Sequence, residues 1–355
     1  MIVVIPTCRG IDLENLAPLI DAGCRFIVVE DGPGSIRIDH PAFRVYAWPD
    51  RRRLLGDREI AIPKGSGACR DLGFYVAWKE SEADEIVVAL DDDCRVESAE
   101  FVPATADNLD RRVRPCVVGP GRYFNIFDLY DDPAIRRHFP RGFPYAARIG
   151  YRPWEVGGDV DADVPVHLGL WKGVLDVNAV DRLPSHEVDF PTARLRTGSV
   201  VVPNGALISV CSGSMQFRRP VIPAIYQLPM DVPILPDWTI NRFGDIWGGF
   251  ILKKLMDARG DALGVGGPLV HHLHLGPAGV NARKEHLGHL IEDEFVDLLD
   301  RACADLRPEG YLEMMARLHE RLAPLVSGAS PILRTYLEAL LPRLAAWIEA
   351  LAAAG

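Results

Sequence analysis

The chain has 355 residues, 48% hydrophobic and 25% charged, enough for a sizeable core in one large α/β domain with additions, or in two domains. Its formal net charge of −10 repels polyanions, which argues against nucleic acid and anionic membranes as partners and leaves room for a local pocket that takes a small anion. Seven scattered cysteines without a CxxC pair argue against a disulfide framework and a zinc ribbon.

In chain order, residues 2–5 are a β-branched run ended by Pro6-Thr7 and predict a buried strand. That run is too short for a signal peptide and has no basic flank. No stretch reaches transmembrane length without charge or proline, so a cytoplasmic protein without a membrane span is expected. Residues 12–22 predict a helix with Leu13, Leu16, Leu19 and Ile20 on one face and Gly23 as its stop. Residues 26–29 and 44–47 predict further strands, 67–79 a helix, and 86–90 a strand followed at once by Asp91-Asp92-Asp93. Alternating strands and helices imply an α/β fold, a mainly parallel sheet covered on both faces. Residues 101–212, rich in Pro, Gly, Arg and aromatics, predict loops and short elements over one edge of the sheet. Residues 243–258 predict a helix, and beyond Lys284 the pattern is almost wholly helical, divided by Pro308 and Pro331. A division into a ligand-binding domain, 1–286, and a helical C-terminal extension, 287–355, is expected. The apolar face of that extension suits either packing within the chain or a homo-oligomer contact.

Three adjacent carboxylates at the end of a buried strand call for a cation or for raised pKa values. Ligands of open α/β sheets sit at the carboxyl ends of strands. Alternate residues of an extended segment share a side, so Asp91 and Asp93 point into one site and Asp92 elsewhere. Two carboxylates there suit a hard cation, Mn2+ or Mg2+, completed by phosphate oxygens and water. An arbitrary acidic triplet is a solvated turn by default; its place straight after an apolar strand outweighs that. Asp31 ends another predicted strand, where it contacts a base or ribose or simply makes an Asp-Gly turn. Among His271, His272 and His274, one histidine completes the metal site or all three belong to a surface loop. Lys64 and Arg70 flank Gly65-Ser66-Gly67 before a helix, a place for an anion or an ordinary turn. Arg141, Arg148 and Arg152 lie in a Gly/Pro/aromatic stretch where surface solvation is an equally good account.

The ordered set Ile5-Pro6-Thr7-Cys8-Arg9, Val29-Glu30-Asp31-Gly32, Lys64-Gly65-Ser66-Gly67-Ala68-Cys69-Arg70, Leu90-Asp91-Asp92-Asp93-Cys94, Tyr123-Phe124-Asn125, Arg141-Gly142-Phe143-Pro144, His167-Leu168-Gly169-Leu170-Trp171, Gly244-Asp245-Ile246-Trp247-Gly248-Gly249 and His272 with Asn281-Ala282-Arg283-Lys284-Glu285 resembles the reversibly glycosylated polypeptide family, whose plant members include UDP-arabinopyranose mutases. The resemblance implies a glycosyltransferase-A-like fold and a UDP-sugar substrate. It implies metal binding by Asp91, Asp93 and His272, and catalytic roles for Asp92, Asp245 and Arg148. It implies nucleotide-sugar contacts from Thr7, Arg9, Asp31, Lys64, Arg70, Asp91, Asp92, Trp247 and Lys284. Arg148 falls at the family's glycosylated arginine. Around it this chain reads Ala146-Ala147-Arg148-Ile149-Gly150 instead of Ser-Leu-Arg-Glu-Gly, and His274 replaces the lysine after the metal histidine. Segments 160–164 and 177–196 also differ.

The implied reaction is a metal-dependent interconversion of pyranose and furanose forms of a UDP-sugar. The diphosphate leaves C1, the ring opens and recloses through another hydroxyl, and the nucleotide returns. Arg148 either takes the sugar covalently or clamps phosphate and hydroxyls; as a protonated guanidinium it needs a base nearby to act as a nucleophile. Two other readings are a self-glycosylating protein or glycosyltransferase that serves an acceptor, and an inactive binding subunit. Retention of all three aspartates with Arg70, Asp245 and His272 argues against the last.

Overall fold

A computed structural model of the chain describes residues 1–184, 188–230, 232–274 and 276–355. Residues 185–187, within the divergent segment 177–196, therefore lie outside the described part. The strands are β1 (Ile2–Thr7), β2 (Arg25–Glu30), β3 (Phe43–Tyr46), β4 (Ile86–Leu90), β5 (Cys94–Arg95), β6 (Val113–Val118), β7 (Glu155–Asp161), β8 (Val166–Val174), β9 (Asp189–Phe190), β10 (Val200–Val202), β11 (Ser214–Arg218), β12 (Val232–Leu235), β13 (Trp238–Ile240) and β14 (Leu263–His272). The α-helices are α1 (Ala17–Asp21), α2 (Trp48–Leu55), α3 (Arg70–Glu80), α4 (Phe101–Asp110), α5 (Tyr145–Arg148), α6 (Gly244–Arg259), α7 (Ala278–Cys303), α8 (Tyr311–Leu322) and α9 (Pro331–Ala354).

The main sheet runs β3-β2-β1-β4-β11-β8-β14-β10-β6-β7, with β5 added to β14 and β9 to β8. Strands β3, β2, β1 and β4 are parallel. Strand β11 is antiparallel to both β4 and β8, and β8 is parallel to β14. It follows that β1, β2, β4, β8 and β14 all point the same way. Thr7, Glu30, Leu90, Val174 and His272 end on one edge, together with the start of β11. Beyond β14 the sheet is mixed. The α/β architecture and the C-terminal helices are as expected.

Three local expectations change. The helix expected over 12–22 is a 3-10 turn, Leu13–Leu16, followed by α1 with Pro18 in its first turn. Proline lacks an N–H and fits only the start of an α-helix, so the chain restarts there. Residues 91–93 are not extended; the Cys94 N–H donates to the Asp91 carbonyl at 3.1 Å, closing a turn in which alternation of side chains does not apply. Segment 101–212 is not peripheral either. It supplies α4 and also β8, which sits in the middle of the sheet between β11 and β14. A run buried on both faces, as Val166–Leu170 is, shows no period-2 pattern and reads as irregular.

The C-terminal helices pack on α6. Trp247 is fully buried, stacked on Phe295 at 4.4 Å between centroids and edge-on to Tyr336 at 5.4 Å. Trp347 stacks on Tyr226 at 5.3 Å. Aromatic pairs of this kind add about 0.5–1.5 kcal/mol each beyond the area they bury. Residues 286 and 287 both lie within α7.

A polar chain joins β8, β11 and the residue before β10. His167 is fully buried, its Nδ1 2.8 Å from Gln216 Oε1 and its Nε2 2.7 Å from Ser199 Oγ. Burial pushes its pKa down to about 4. The unfolded imidazole takes a proton near 6.5 and the folded one only near 4, so unfolding binds a proton between those values. Stability is therefore lost as pH falls through that window, and this group adds no further loss below it. Urea midpoints measured from pH 8 to 4 should fall more steeply for the wild type than for His167→Gln; parallel profiles would show that His167 does not carry this dependence.

Candidate functional site

The edge where the parallel strands end carries the chemistry. β4 ends at Leu90, and the turn that follows sends the three aspartates to different partners. Asp91 pairs with Arg70 Nη2, whose Nη1 donates to the Ser212 carbonyl at 2.5 Å. Asp92 accepts from the Thr7 hydroxyl at 2.7 Å and from Arg9 Nη2 at 2.7 Å. Asp93 lies 3.2 Å from Arg9 Nη2 and 3.8 Å from His272 Nε2. Burial pushes the Asp93 pKa up, with Asp91 as the next cause, while the Arg9 guanidinium is held well above its usual range, first by its hydrogen bond to Asp92. His272 sits at the end of β14. Its Nδ1 donates to the Val174 carbonyl at 2.6 Å, which leaves Nε2 as the acceptor that faces Asp93.

Arg141 stands beside this group, on the segment before α5. Its Nε donates to both oxygens of Asp176 at 3.1 and 3.0 Å, and its two terminal nitrogens donate to Asp245 at 3.0 and 2.6 Å. Gly142 allows this approach. Its φ is +77°, and a Cβ there would lie 2.4 Å from Ile246 Cγ2 on α6. Asp245 lies in the first turn of α6, where a carboxylate is favoured by the helix dipole. Burial works against both charges of the Arg141–Asp176 pair, yet Arg141 is held above its usual pKa by Asp176 and then Asp245, and Asp176 below its own, chiefly by Arg141.

Of these groups, Arg70, Asp91, Arg141 and Asp245 line a cleft of about 240 Å³ that Ser66, Gly67, Ala68, Gln227 and Arg242 also border. A narrower recess joins it, where Asp91, Arg141, Asp176, Cys211, Asp245 and His272 meet. Ser66 caps a 3-10 turn, Gly67–Cys69, that leads directly into α3 at Arg70. The Asp31 carboxylate is spent on that turn. It accepts from the Gly65 and Ser66 N–H groups at 3.2 and 2.9 Å and from Trp48 Nε1 at 2.7 Å.

A profile described as reversibly glycosylated polypeptide matches residues 1–352 of the chain. The chain belongs to this family. It is 28% identical to probable UDP-arabinopyranose mutase 4 of Arabidopsis thaliana over 98% of this chain and 89% of that one. It is 26% identical to UDP-arabinopyranose mutase 1 of the same plant, covering 98% and 91%, and 26% identical to UDP-arabinopyranose mutase 1 of Oryza sativa subsp. japonica, covering 98% and 89%. Among solved structures it is similar to glucosyl-3-phosphoglycerate synthase from Mycobacterium tuberculosis in complex with Mn2+, UDP and phosphoglyceric acid, with TM-score 0.37 and 14% identity over 82% of this chain and 77% of that chain.

Of the residues picked out by the resemblance to reversibly glycosylated polypeptides, Thr7, Arg9, Asp91, Asp92, Asp93 and His272 form one connected group. Arg70 and Asp245 face the same cleft as Asp91. Lys64 is exposed, its Nζ 4.9 Å above the Trp48 ring. Three others do not reach the cleft. Trp247 is fully buried in the packing of α6 on α7. Lys284 lies on an outer groove beside Trp238 and Arg283. Arg148 donates to Asp181 at 2.8 Å and lies 4.2 Å over the Tyr145 ring and 4.8 Å over that of Phe139. Arg152 and His274 are exposed. Among the described residues, no three His, Cys, Asp or Glu side chains already converge as a metal cage. Sequence reasoning passed over Asp176, Arg242 and Cys211, which carry no motif of their own, and gave Arg141 no role beyond its place in a family motif.

Arg141→Ala takes the shared guanidinium from Asp176 and Asp245, two largely buried carboxylates. It should destabilise the fold by about 3–5 kcal/mol, read as a loss of chemical-denaturation free energy. Adding Asp245→Asn should recover part of that loss; no recovery would show that Arg141 acts through packing alone.

Proposed function

We propose that this protein is a nucleotide-sugar mutase that interconverts pyranose and furanose forms of a UDP-sugar. The observation that carries the reading is the single cleft shared by the start of α3, the aspartate turn after β4, and the Arg141–Asp245 pair. A helix start with Arg70 suits the diphosphate, and carboxylates at the far side suit sugar hydroxyls and an oxocarbenium-like C1. Membership of the family and the names of its relatives support the same chemistry, and a glycosyltransferase-A-like arrangement is part of the proposal. So is the division of labour in which residues 1–286 carry the site and 287–355 buttress α6.

The donor set fits a divalent cation. Asp91, Asp93 and the free Nε2 of His272 offer two carboxylate oxygens and an imidazole nitrogen, a hard-to-borderline set suited to Mn2+ or Mg2+. The charges agree: Asp91, Asp92, Asp93, Asp176, Asp245 and Glu285 outnumber Arg9, Arg70, Arg141 and Arg242 by two. When bound, such an ion supplies Lewis-acid stabilisation of the departing diphosphate. The chain's own residues do the rest. Arg9 and Thr7 hold Asp92, and so hold the turn in place. Arg70 fixes Asp91 beside the phosphate position. Asp245 and Asp176, oriented by Arg141, receive the hydroxyls. Arg148, clamped on Asp181 and two rings, would have to leave that clamp to meet C1, which makes a covalent role for it the harder half of the proposal. Seven free thiols and the absence among the described residues of a helix long and apolar enough to cross a membrane support our placing it in the cytoplasm.

With UDP-arabinopyranose and Mn2+, chromatography should show a second nucleotide-sugar peak without release of UDP. Asp93→Asn and His272→Ala should each lower the rate at least about tenfold, as loss of a ligand does. Release of UDP in step with sugar transfer to protein would point instead to the glycosyltransferase reading, and tight UDP binding without turnover to an inactive binding subunit. Isomerisation that survives Arg148→Ala would remove the covalent role.

A further inference from the structure

Three arginines line the cleft, and two of them have both terminal nitrogens engaged by other protein groups. Arg70 commits one terminal nitrogen to Asp91 and the other to the Ser212 carbonyl. Arg141 commits Nε and both terminal nitrogens to Asp176, Asp245 and the Arg242 carbonyl. Arg242 differs. Its Nε donates to Glu285 at 2.8 Å, while Nη2 stands 3.8 Å from Asp176, beyond hydrogen-bond reach. Its terminal nitrogens make no hydrogen bond among the described residues.

The backbone at Arg242 is unusual. It has φ of +64°, a region that residues bearing a Cβ seldom enter. Such a conformation persists only where the surroundings over-determine it, and it concentrates at functional positions. The surroundings here do so. The Arg242 N–H donates to Asn241 Oδ1 at 2.6 Å, and its carbonyl accepts from Arg141 Nη1. The Asn241 N–H donates to the Lys284 carbonyl at 3.1 Å. Glu285, the anchor of Nε, is fully buried on α7 and also accepts from the Ala179 N–H at 2.7 Å. One residue of α7 thus fixes where the guanidinium stands, and Arg242 borders the same cleft as Asp91.

We propose that Arg242 is the residue whose free terminal nitrogens bind the diphosphate of the nucleotide sugar, and that Glu285 is its positioning residue. A planar guanidinium with two uncommitted donors matches phosphate oxygens, and a buried carboxylate on Nε holds the plane still without using those donors. This rests on the nucleotide-sugar reading above and adds to it the group that takes the phosphates from the protein side.

The test compares UDP with uridine, which lacks the phosphates, as ligands of the full chain in the presence of Mn2+, by calorimetry. Arg242→Ala should weaken UDP by about 10- to 100-fold and leave uridine unchanged, and Arg242→Lys should recover part of the loss. Arg242→Gly removes the guanidinium while easing the left-handed backbone, and it should give the same result even if Arg242→Ala melts early. Glu285→Gln should shift the UDP-to-uridine ratio in the same direction, by less. UDP affinity equal to wild type in Arg242→Ala and Arg242→Gly overturns the inference and leaves the proposed function standing. Equal weakening of UDP and uridine also overturns it, since Arg242 would then only shape the cleft. A wild-type chain that binds UDP no better than uridine overturns the nucleotide-sugar reading itself.

Discussion

A guanidinium taken out of water must have its charge met at each edge, and Arg141 meets this with two carboxylates at once. Asp176 comes from the segment after β8 and Asp245 from the start of α6. Against the pull of burial, Arg141 is the first cause that holds the Asp176 carboxyl below its usual range. Because Arg141 also donates to the Arg242 carbonyl, the same side chain ties the approach to α6 to the backbone that carries the next cation. Central sheet, helix and cleft wall are joined through one charged group, and Gly142 is what lets that group come near enough.

The sheet explains why these groups can meet. Strand β11 runs against both β4 and β8, so the two flanking strands point the same way and their ends fall on the same edge. The parallel pairing of β8 with β14 extends that edge to His272. Carboxylates that are far apart in the chain therefore crowd together, and the arginines are the response to that crowding: Arg9 for Asp92 and Asp93, Arg70 for Asp91, Arg141 for Asp176 and Asp245. An excess of negative charge remains, which the proposed divalent cation would offset.

Much of this was legible along the chain. β1, β2, β3 and β4 announce themselves as short apolar runs, and α3, α6 and the C-terminal helices as periodic ones. The aspartate triplet after β4 marks the site because acidic residues directly after a buried strand have few bland explanations. What escaped notice had physical reasons. Strands β8, β11 and β14 carry Gly, Ser, Gln and His at positions covered on both faces, so they show neither alternation nor a continuous apolar run. Trp247 shares its motif with Asp245, yet successive helical residues point in different directions, and only one of the two faces the cleft. Arg148 lies in a stretch whose aromatic residues bind its guanidinium locally, which no composition argument reveals.

The sequence by itself determined the elements near the N-terminus, the helical tail, the place of the acidic turn and the family to which the chain belongs, because those depend on residues close together or on an ordered set of motifs. Only the tertiary structure decided which charges neutralise which. Arg141 and Asp245 are 104 residues apart and Thr7 and Asp92 are 85 apart; such pairs are set by strand order and direction, which local periodicity does not encode. The left-handed backbone of Arg242 belongs to the same class. Its N–H meets the side chain of its neighbour Asn241, but its carbonyl is held by Arg141, 101 residues away, and its guanidinium by Glu285 on α7, 43 residues away.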